Sequence, residues 1–114
     1  MDKALNNYLR QHRRNAPLTQ TELAALLGLE CRSSVSRLEW SVTRPSLEIA
    51  LACHFVFDAP IEELFPGPYA DSLKQVIDRA TILSADRRER ITRPVEVRDI
   101  DQIEHLIVRL NTRR

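Results

Sequence analysis

LTQTELAALLGLECRSSVSRLEW, residues 18–40, is the segment that decides the fold, because it predicts two short helices joined by a tight turn. Thr19 stands three residues before Glu22, the spacing of a capping box that fixes where a helix begins. Leu23 and Leu27 give that helix one apolar stripe, and Gly28 marks its end.

The second helix of this segment has two different faces. Val35 and Leu38 form an apolar stripe that can pack against the first helix at a steep angle. The opposite face carries short hydroxyl groups and guanidinium groups, which suit the hydrogen-bonding edges of bases in a major groove. Its members are Arg32, Ser33, Ser36 and Arg37. The pattern predicts a helix-turn-helix.

The chain resembles the Cro/CI family of DNA-binding domains, also called the XRE family or lambda-repressor-like domains, over about residues 4–66. The shared motifs occur in the order usual for that family. They are Thr19-Gln20, Leu23-Ala24, Leu27-Gly28, Ser36-Arg37-Leu38-Glu39 and Arg44-Pro45-Ser46-Leu47. A whole ordered pattern is far more specific than one short motif. The resemblance implies a five-helix domain that reads DNA through its third helix.

Two positions depart from the family pattern. The turn segment Leu29-Glu30-Cys31 is one residue longer than usual, which can rotate the start of the following helix. Ser41 stands where the family usually has Gly, the residue that most easily adopts a left-handed conformation at a helix end.

The candidate DNA contacts belong to three local groups. In the second helix of the segment, Arg32 and Arg37 are expected to bind guanines, whereas Ser33, Ser34 and Ser36 are expected to meet bases or phosphates. Thr19 and Gln20 begin the preceding helix, where a side chain and the helix-end amides can hold a phosphate. Thr43 and Arg44 are expected to contact the DNA backbone from the following loop. No catalytic residue is predicted.

Several of these residues also have a simpler interpretation. The exposed positions of residues 32–37 can be an ordinary solvated helix face, and Gln20 can serve helix initiation alone. Arg44 can instead pair with Glu39, which is expected to be structural. Trp40 can lie along a sugar-phosphate backbone or in a dimer contact, although partial burial is favoured. Cys31 is expected to be a small packing residue, with a redox switch as the alternative.

Charge is segregated along the chain although the net charge is only +1. Residues 1–45 carry +3, residues 46–70 carry −4 without any Lys or Arg, and the remainder carries +2. This polarity would orient a domain on a phosphate backbone. Two separated cysteines, three scattered histidines and two glycines predict neither a metal site nor a nucleotide-cradling loop, so no cofactor is expected.

We expect an all-α chain with a helix-turn-helix domain at residues 1–67 and a helical C-terminal extension at 68–114. The first domain is expected to hold helices at about 3–15, 20–28 and 32–40, followed by a fourth helix that Ser46 caps. The segment Asp58-Ala59-Pro60 is expected to begin a fifth helix, in which Ile61, Leu64 and Phe65 close the core. Leu5, Leu9, Leu47, Leu51 and Phe55 are expected to face inward, together with Ala50 and Cys53. Pro66-Gly67-Pro68 is expected to be the boundary.

The extension is predicted to contain two amphipathic helices. The first, over about residues 70–84, has the stripe Leu73, Ile77, Ala80 and Leu83. A short extended piece is expected at Val95 and Val97. A last helix, capped by Asp99 or Asp101, has the stripe Ile100, Ile103, Ile107 and Leu110. Such a stripe needs a partner, which can be the first domain, the preceding helix or another subunit.

These observations predict a cytoplasmic, homodimeric, sequence-specific transcriptional regulator of double-stranded DNA, most simply a repressor, and not an enzyme. No apolar run approaches the ~20 residues that a membrane span requires. Two alternatives stay open. The chain can be the antitoxin of a toxin-antitoxin pair, with residues 70–114 binding the toxin. It can also be a protein-interaction adaptor that keeps the fold but no longer binds DNA.

Overall fold

A computed structural model describes residues 7–89 and 95–113, with residues 95–101 described by their backbone alone. All regular structure in these ranges is helical, so the predicted all-α class is confirmed. The helices are α1 (Leu9–Asn15), α2 (Gln20–Leu27), α3 (Arg32–Glu39), α4 (Leu47–Phe57), α5 (Ile61–Leu64), α6 (Pro66–Glu89) and α7 (Val95–Asn111).

The chain divides into two compact units, residues 1–69 and 70–114. The first unit encloses an apolar core to which α1–α5 all contribute. In it, α2 packs against both α3 and α4. The most deeply buried side chains are Leu9, Leu23, Val35, Cys53 and Leu64. The core therefore fixes α3 from behind and leaves its opposite side to solvent.

Side-chain caps begin α2 and α4 as the sequence predicts. The Thr19 hydroxyl accepts a hydrogen bond from the Glu22 backbone N–H at 3.0 Å, and the Thr19 N–H donates to the Glu22 carboxylate at 2.9 Å. Both halves of the capping box are present. The Ser46 hydroxyl accepts from the Ile49 N–H at 3.2 Å. These bonds satisfy backbone donors that have no partner within the helix.

One motif ends α2, α3 and α4. Each helix is followed by a residue with a left-handed backbone, namely Gly28 (φ 75°), Ser41 (φ 60°) and Asp58 (φ 50°). The next N–H then donates back across the last turn, as from Leu29 to the Ala24 carbonyl and from Val42 to the Arg37 carbonyl, both at 2.8 Å. This is the geometry of a Schellman cap. The end of α3 thus keeps the usual geometry although Ser41 replaces Gly.

Two boundaries in the first unit differ from the expectation. Helix α1 begins at Leu9 rather than Lys3, because the side chain of Asn7 binds the first backbone N–H of the helix. The side-chain Oδ1 of Asn7 accepts a hydrogen bond from the Leu9 N–H at 3.1 Å, and its Nδ2 donates to the Leu38 carbonyl at 2.8 Å. Residues 3–6, including Leu5, lie outside the described residues. The helix expected to begin at about residue 70 begins instead at Pro66, because Pro66-Gly67-Pro68 forms the first turn of α6, where a missing N–H removes no helical hydrogen bond.

The inward face of α4 also differs from the expectation. Leu47 is 69% exposed and Phe55 is 76% exposed, while Leu51 is 40% exposed. The buried positions are Ala50 and Cys53, so only these two of the predicted inward residues are confirmed. Helix α4 is apolar on nearly every side, and a spacing argument could not tell which side meets the core.

The second unit departs from the prediction at three places. In α6 the buried positions are Ile77, Ala80 and Ser84, whereas Leu83 is 43% exposed. The expected extended piece at residues 95–97 is wrong, because α7 begins at Val95. Asp99 and Asp101 therefore lie within a helix and do not cap it. Ile103 of α7 is buried, the side chain of Ile100 lies outside the described residues, and Arg88 of α6 forms an ion pair with Glu104 of α7.

Within the described residues, no helix combines the length and apolar character that crossing a bilayer requires.

Candidate nucleic-acid interface

Helix α3 presents a polar face outward because its apolar face is held in the core. Val35 and Leu38 are buried, while Arg32 and Arg37 are exposed. At 100° per residue, the two arginines stand about 140° apart around the helix, and Ser33 and Ser36 lie between them. Of the four predicted outward residues, Arg32, Ser33 and Arg37 are therefore exposed on one surface, and Ser36 is half-buried between them.

A buried carboxylate holds the end of α3 in place. Glu39 is 7% exposed and accepts a hydrogen bond from Arg13 Nε at 2.5 Å. A second Arg13 nitrogen lies 3.3 Å from the other carboxylate oxygen, and Gln20 Nε2 donates to that same oxygen at 3.0 Å. Arg13 also donates to the Leu18 carbonyl at 2.9 Å. One side chain thus joins α1, the start of α2 and the end of α3.

This cluster changes the roles expected for Thr19 and Gln20. Glu39 is structural as predicted, and its carboxylate is bound by Gln20 and by Arg13, whose side chain is 12% exposed. Gln20 directs its amide to Glu39 instead of outward, and Thr19 uses its hydroxyl in the capping box. Sequence spacing could not reveal a pair separated by 26 positions.

The start of α2 still offers donors for an anion. Within the described part of the chain, no protein acceptor pairs with the backbone N–H groups of Gln20 and Thr21. Backbone N–H groups at a helix start attract a phosphate through both hydrogen bonding and the helix dipole. If a phosphate binds at the start of α2, the donors are therefore the backbone N–H groups of Gln20 and Thr21 rather than the Gln20 side chain.

The loop after α3 completes the candidate surface. Ser34, Arg37, Thr43 and Arg44 line a single surface cleft of about 180 Å³. Thr43 is fixed beside the helix because its N–H donates to the Arg37 carbonyl at 3.3 Å. Arg44 is exposed. The structure thus brings predicted helix contacts and predicted loop contacts to one place.

Cys31 lies at the start of this surface and is exposed, so the expected packing role is wrong. Its Sγ is 2.9 Å from Ser33 Oγ and 3.9 Å from Ser34 Oγ. Hydrogen bonds from Ser33, and then from Ser34, stabilise the thiolate and lower the pKa of Cys31 from 9.0 to about 7. Burial instead raises the pKa of Cys53 to about 11. Of the two thiols, Cys31 is therefore the acidic and accessible one.

Trp40 marks the far end of α3. The expected partial burial is wrong, because the residue is 66% exposed. The Arg10 guanidinium lies over its ring, 5.6 Å from the centroid, as a cation–π pair. Both residues border a cleft of about 500 Å³ that Arg14 also lines. Helix α1 thus adds positive charge beside α3, a contribution that the sequence alone did not predict for this site.

Within residues 7–89 and 95–113, no group of three or more His, Cys, Asp or Glu side chains could hold a metal ion. No protein-family model matches the chain, and no curated protein matches it. The surface must therefore be interpreted from its own geometry and charge.

Proposed function

We propose that the chain is a sequence-specific DNA-binding transcriptional regulator, most simply a repressor, with a lambda-repressor-like helix-turn-helix domain. The observation that carries this proposal is the outward face of α3. Arg32, Ser33 and Arg37 face solvent together, with the half-buried Ser36 between them, on a helix whose other side is anchored in the core. The ordered motifs that resemble the Cro/CI family support the same conclusion.

The spacing of the two arginines suits direct readout of bases. Arg37 lies five positions after Arg32, which corresponds to about 7.5 Å along the helix axis. Successive base pairs lie about 3.4 Å apart, so the two guanidinium groups can reach bases about two steps apart. Arg binds the O6 and N7 atoms of guanine through two parallel hydrogen bonds. Ser33 and Ser36, between them, can bond a base edge or a phosphate.

Phosphate contacts would set the register of this helix. Thr43 and Arg44 face the same cleft as Arg37, and the free N–H groups at the start of α2 supply a second anchor. Trp40 and its stacked Arg10 provide a third contact at the other end of α3. Contacts of this kind position a protein without reading sequence. The bonds of Glu39 to Arg13 and Gln20 hold α3 in a fixed position relative to these three anchors.

We propose a homodimer that reads a palindromic operator. Two copies of α3 would then enter successive major grooves about 34 Å apart. The segment 70–114 is the proposed source of the dimer contacts. Repression would follow wherever the operator overlaps a polymerase site.

The test is selection of binding sites from a random pool of duplex DNA by the intact chain. An Arg32→Ala/Arg37→Ala variant removes the proposed base contacts. A Lys74→Ala/Arg109→Ala variant is the matched control, because it removes the same charge from exposed positions in residues 70–114. We expect the wild type and the control to select the same palindromic DNA motif. The α3 variant should not select it.

Equal enrichment by all three proteins would contradict base readout through α3. Absence of any enriched motif would contradict the proposed function and favour an adaptor that binds a protein.

A further inference from the structure

Helix α4 carries an exposed apolar surface that the first unit does not bury. Leu47, Leu51 and Phe55 recur every four residues, so they form one stripe along the helix, and we call them the α4 stripe. Leu47 and Phe55 are 69% and 76% exposed. Single exposed apolar residues are ordinary, but an aligned row of three large ones is typical of an interaction surface.

The surroundings of the α4 stripe are acidic. Glu48 lies beside it on α4, Asp58 follows the end of the helix, and both are exposed. Residues 46–70 contain four carboxylates and no Lys or Arg. Two α4 stripes brought face to face would place like charges together, which opposes association. The complementary occupant is an apolar surface that carries positive charge.

The second unit contains such a surface on α6. Val76 and Leu83 are each 43% exposed and stand seven residues apart, so they lie on the same side of the helix. Arg79 and Arg87 are exposed on that side. We call these four residues the α6 face. Residues 71–114 carry a net charge of +2.

The α4 stripe and the α6 face match in length as well as in charge. Leu47 to Phe55 spans about 12 Å along α4, and Val76 to Leu83 spans about 10.5 Å along α6. We propose that the α4 stripe of one copy binds the α6 face of a second copy, and that the contact is reciprocal. A stable interface buries about 800 Å² on each partner, which is more than one short helix face offers. Reciprocal exchange provides two identical contacts.

This inference specifies the dimer of the proposed function, but its test uses no DNA, so either can fail alone. Sedimentation equilibrium of the full chain should give twice the chain mass of 13.2 kDa. Phe55→Glu and Val76→Glu/Leu83→Glu each place carboxylates in the proposed contacts. Each variant should raise the dissociation constant at least about thirty-fold, as loss of a central apolar anchor does. Leu26→Glu, at a 56% exposed position outside both surfaces, should stay dimeric.

Mixing the two monomeric variants gives the sharpest test. Each variant alone has no intact contact, but a heterodimer of the two retains one wild-type α4 stripe against one wild-type α6 face. A contact that is broken on one side loses little more when it is broken on both sides. The mixture should therefore associate more tightly than either variant alone, but more weakly than the wild type with its two intact contacts. A dimer built from two α6 faces would instead survive Phe55→Glu and would not be restored by mixing. Circular dichroism checks that each variant remains helical. Leu51→Ser is a milder second variant of the α4 stripe.

A charge exchange tests the polar part of the contact. Glu48→Lys should weaken dimerisation, and adding Arg79→Glu in the same chain should restore part of the loss. Four results would each overturn the proposal: a monomeric wild type, a dimeric Phe55→Glu variant, a mixture that associates no more tightly than the separate variants, or a monomeric Leu26→Glu variant.

Discussion

Glu39 is the residue on which the geometry of the candidate surface depends most. Its carboxylate is removed from water, where an unpaired charge is strongly unfavourable. Arg13 supplies the opposite charge and Gln20 supplies an additional hydrogen bond. Removing one member of a buried pair is more damaging than replacing both, because the remaining charge has no partner.

Arg13→Ala should therefore lower the free energy of unfolding by about 3 kcal/mol. The double variant Arg13→Met/Glu39→Met should recover most of this loss, since it leaves no buried charge. Urea unfolding measures both values. Lys74→Ala is the control, because the Lys74–Asp78 pair is exposed and such pairs contribute about 0.5 kcal/mol or less. A loss equal to that of the control would contradict the assigned role of Glu39.

Cys31 makes a second prediction at the level of one residue. Since its pKa is about 7, the thiolate fraction increases as the pH rises through neutrality. Alkylation of Cys31 by iodoacetamide should therefore accelerate between pH 6 and 8, with a midpoint near the pKa of about 7. Cys53 should stay unmodified in the folded chain. Ser33→Ala removes the largest cause of the shift and should move the midpoint upward, and an unchanged midpoint would contradict that cause.

At the level of the elements, the first unit is organised by how its helices end. The left-handed residues after α2, α3 and α4 reverse the chain so that each helix packs on the one before or after it. Gly adopts this conformation without steric penalty, whereas a residue with a Cβ loses about 1–2 kcal/mol. Of the three positions, only Gly28 has the favoured residue.

Two substitutions at these positions should act in opposite directions. Ser41→Gly should raise the free energy of unfolding by about 0.5–1 kcal/mol, after allowance for the greater freedom of Gly in the unfolded chain. Gly28→Ala should lower it by about 1–2 kcal/mol. A Cβ at residue 28 meets no atom within 4 Å, so this loss would be conformational rather than a clash. Thermal unfolding of both variants measures these two changes. If both variants changed the free energy of unfolding in the same direction, the explanation would be contradicted.

Helix starts and periodic stripes account for what the sequence predicts well. Thr19, Ser46 and Gly28 act through neighbours three to five residues away, so their roles are visible in a single sequence. The core face of α4 is different, because the helix is apolar all round and its orientation is chosen by α2 and α5. The start of α1 is set by Asn7 bonding to Leu38, a contact across 31 positions that no local pattern contains.

The candidate site divides in the same manner. Helical geometry predicts that Arg32 and Arg37 face outward once Val35 and Leu38 face inward. The partners of Gln20 and Arg13 and the stacking of Arg10 on Trp40 arise from packing between helices. These contacts assign supporting roles that the linear sequence does not show.

At the scale of the whole molecule, segregated charge is the dominant electrostatic feature. Residues 1–45 carry +3 and contain every proposed base or phosphate contact but none of the carboxylates of α4 and α5. DNA binding should therefore be strongly weakened by salt. If each protomer neutralises about three phosphates, the dimer neutralises about six. A plot of the logarithm of the affinity against the logarithm of the salt concentration should then have a slope of about −5.

Arg44→Ala should reduce this slope by about 2 for a dimer and leave the selected DNA motif unchanged, because a phosphate contact carries no base information. Arg37→Ala should instead alter the motif at one position of each half-site. Titrations on a fixed duplex at four salt concentrations, together with repeated site selection, separate the two effects. An Arg44→Ala variant with an altered motif would show that the loop reads bases.

The junction at Glu39 has a thermodynamic consequence for whatever meets this surface. Because α3 is tied at once to α1 and α2, its backbone should keep nearly the same position before and after an encounter. Association should then be close to rigid-body binding, with little folding coupled to it. The heat capacity change should accordingly follow from the surface covered alone, and discrimination between partners should depend on fit rather than on rearrangement.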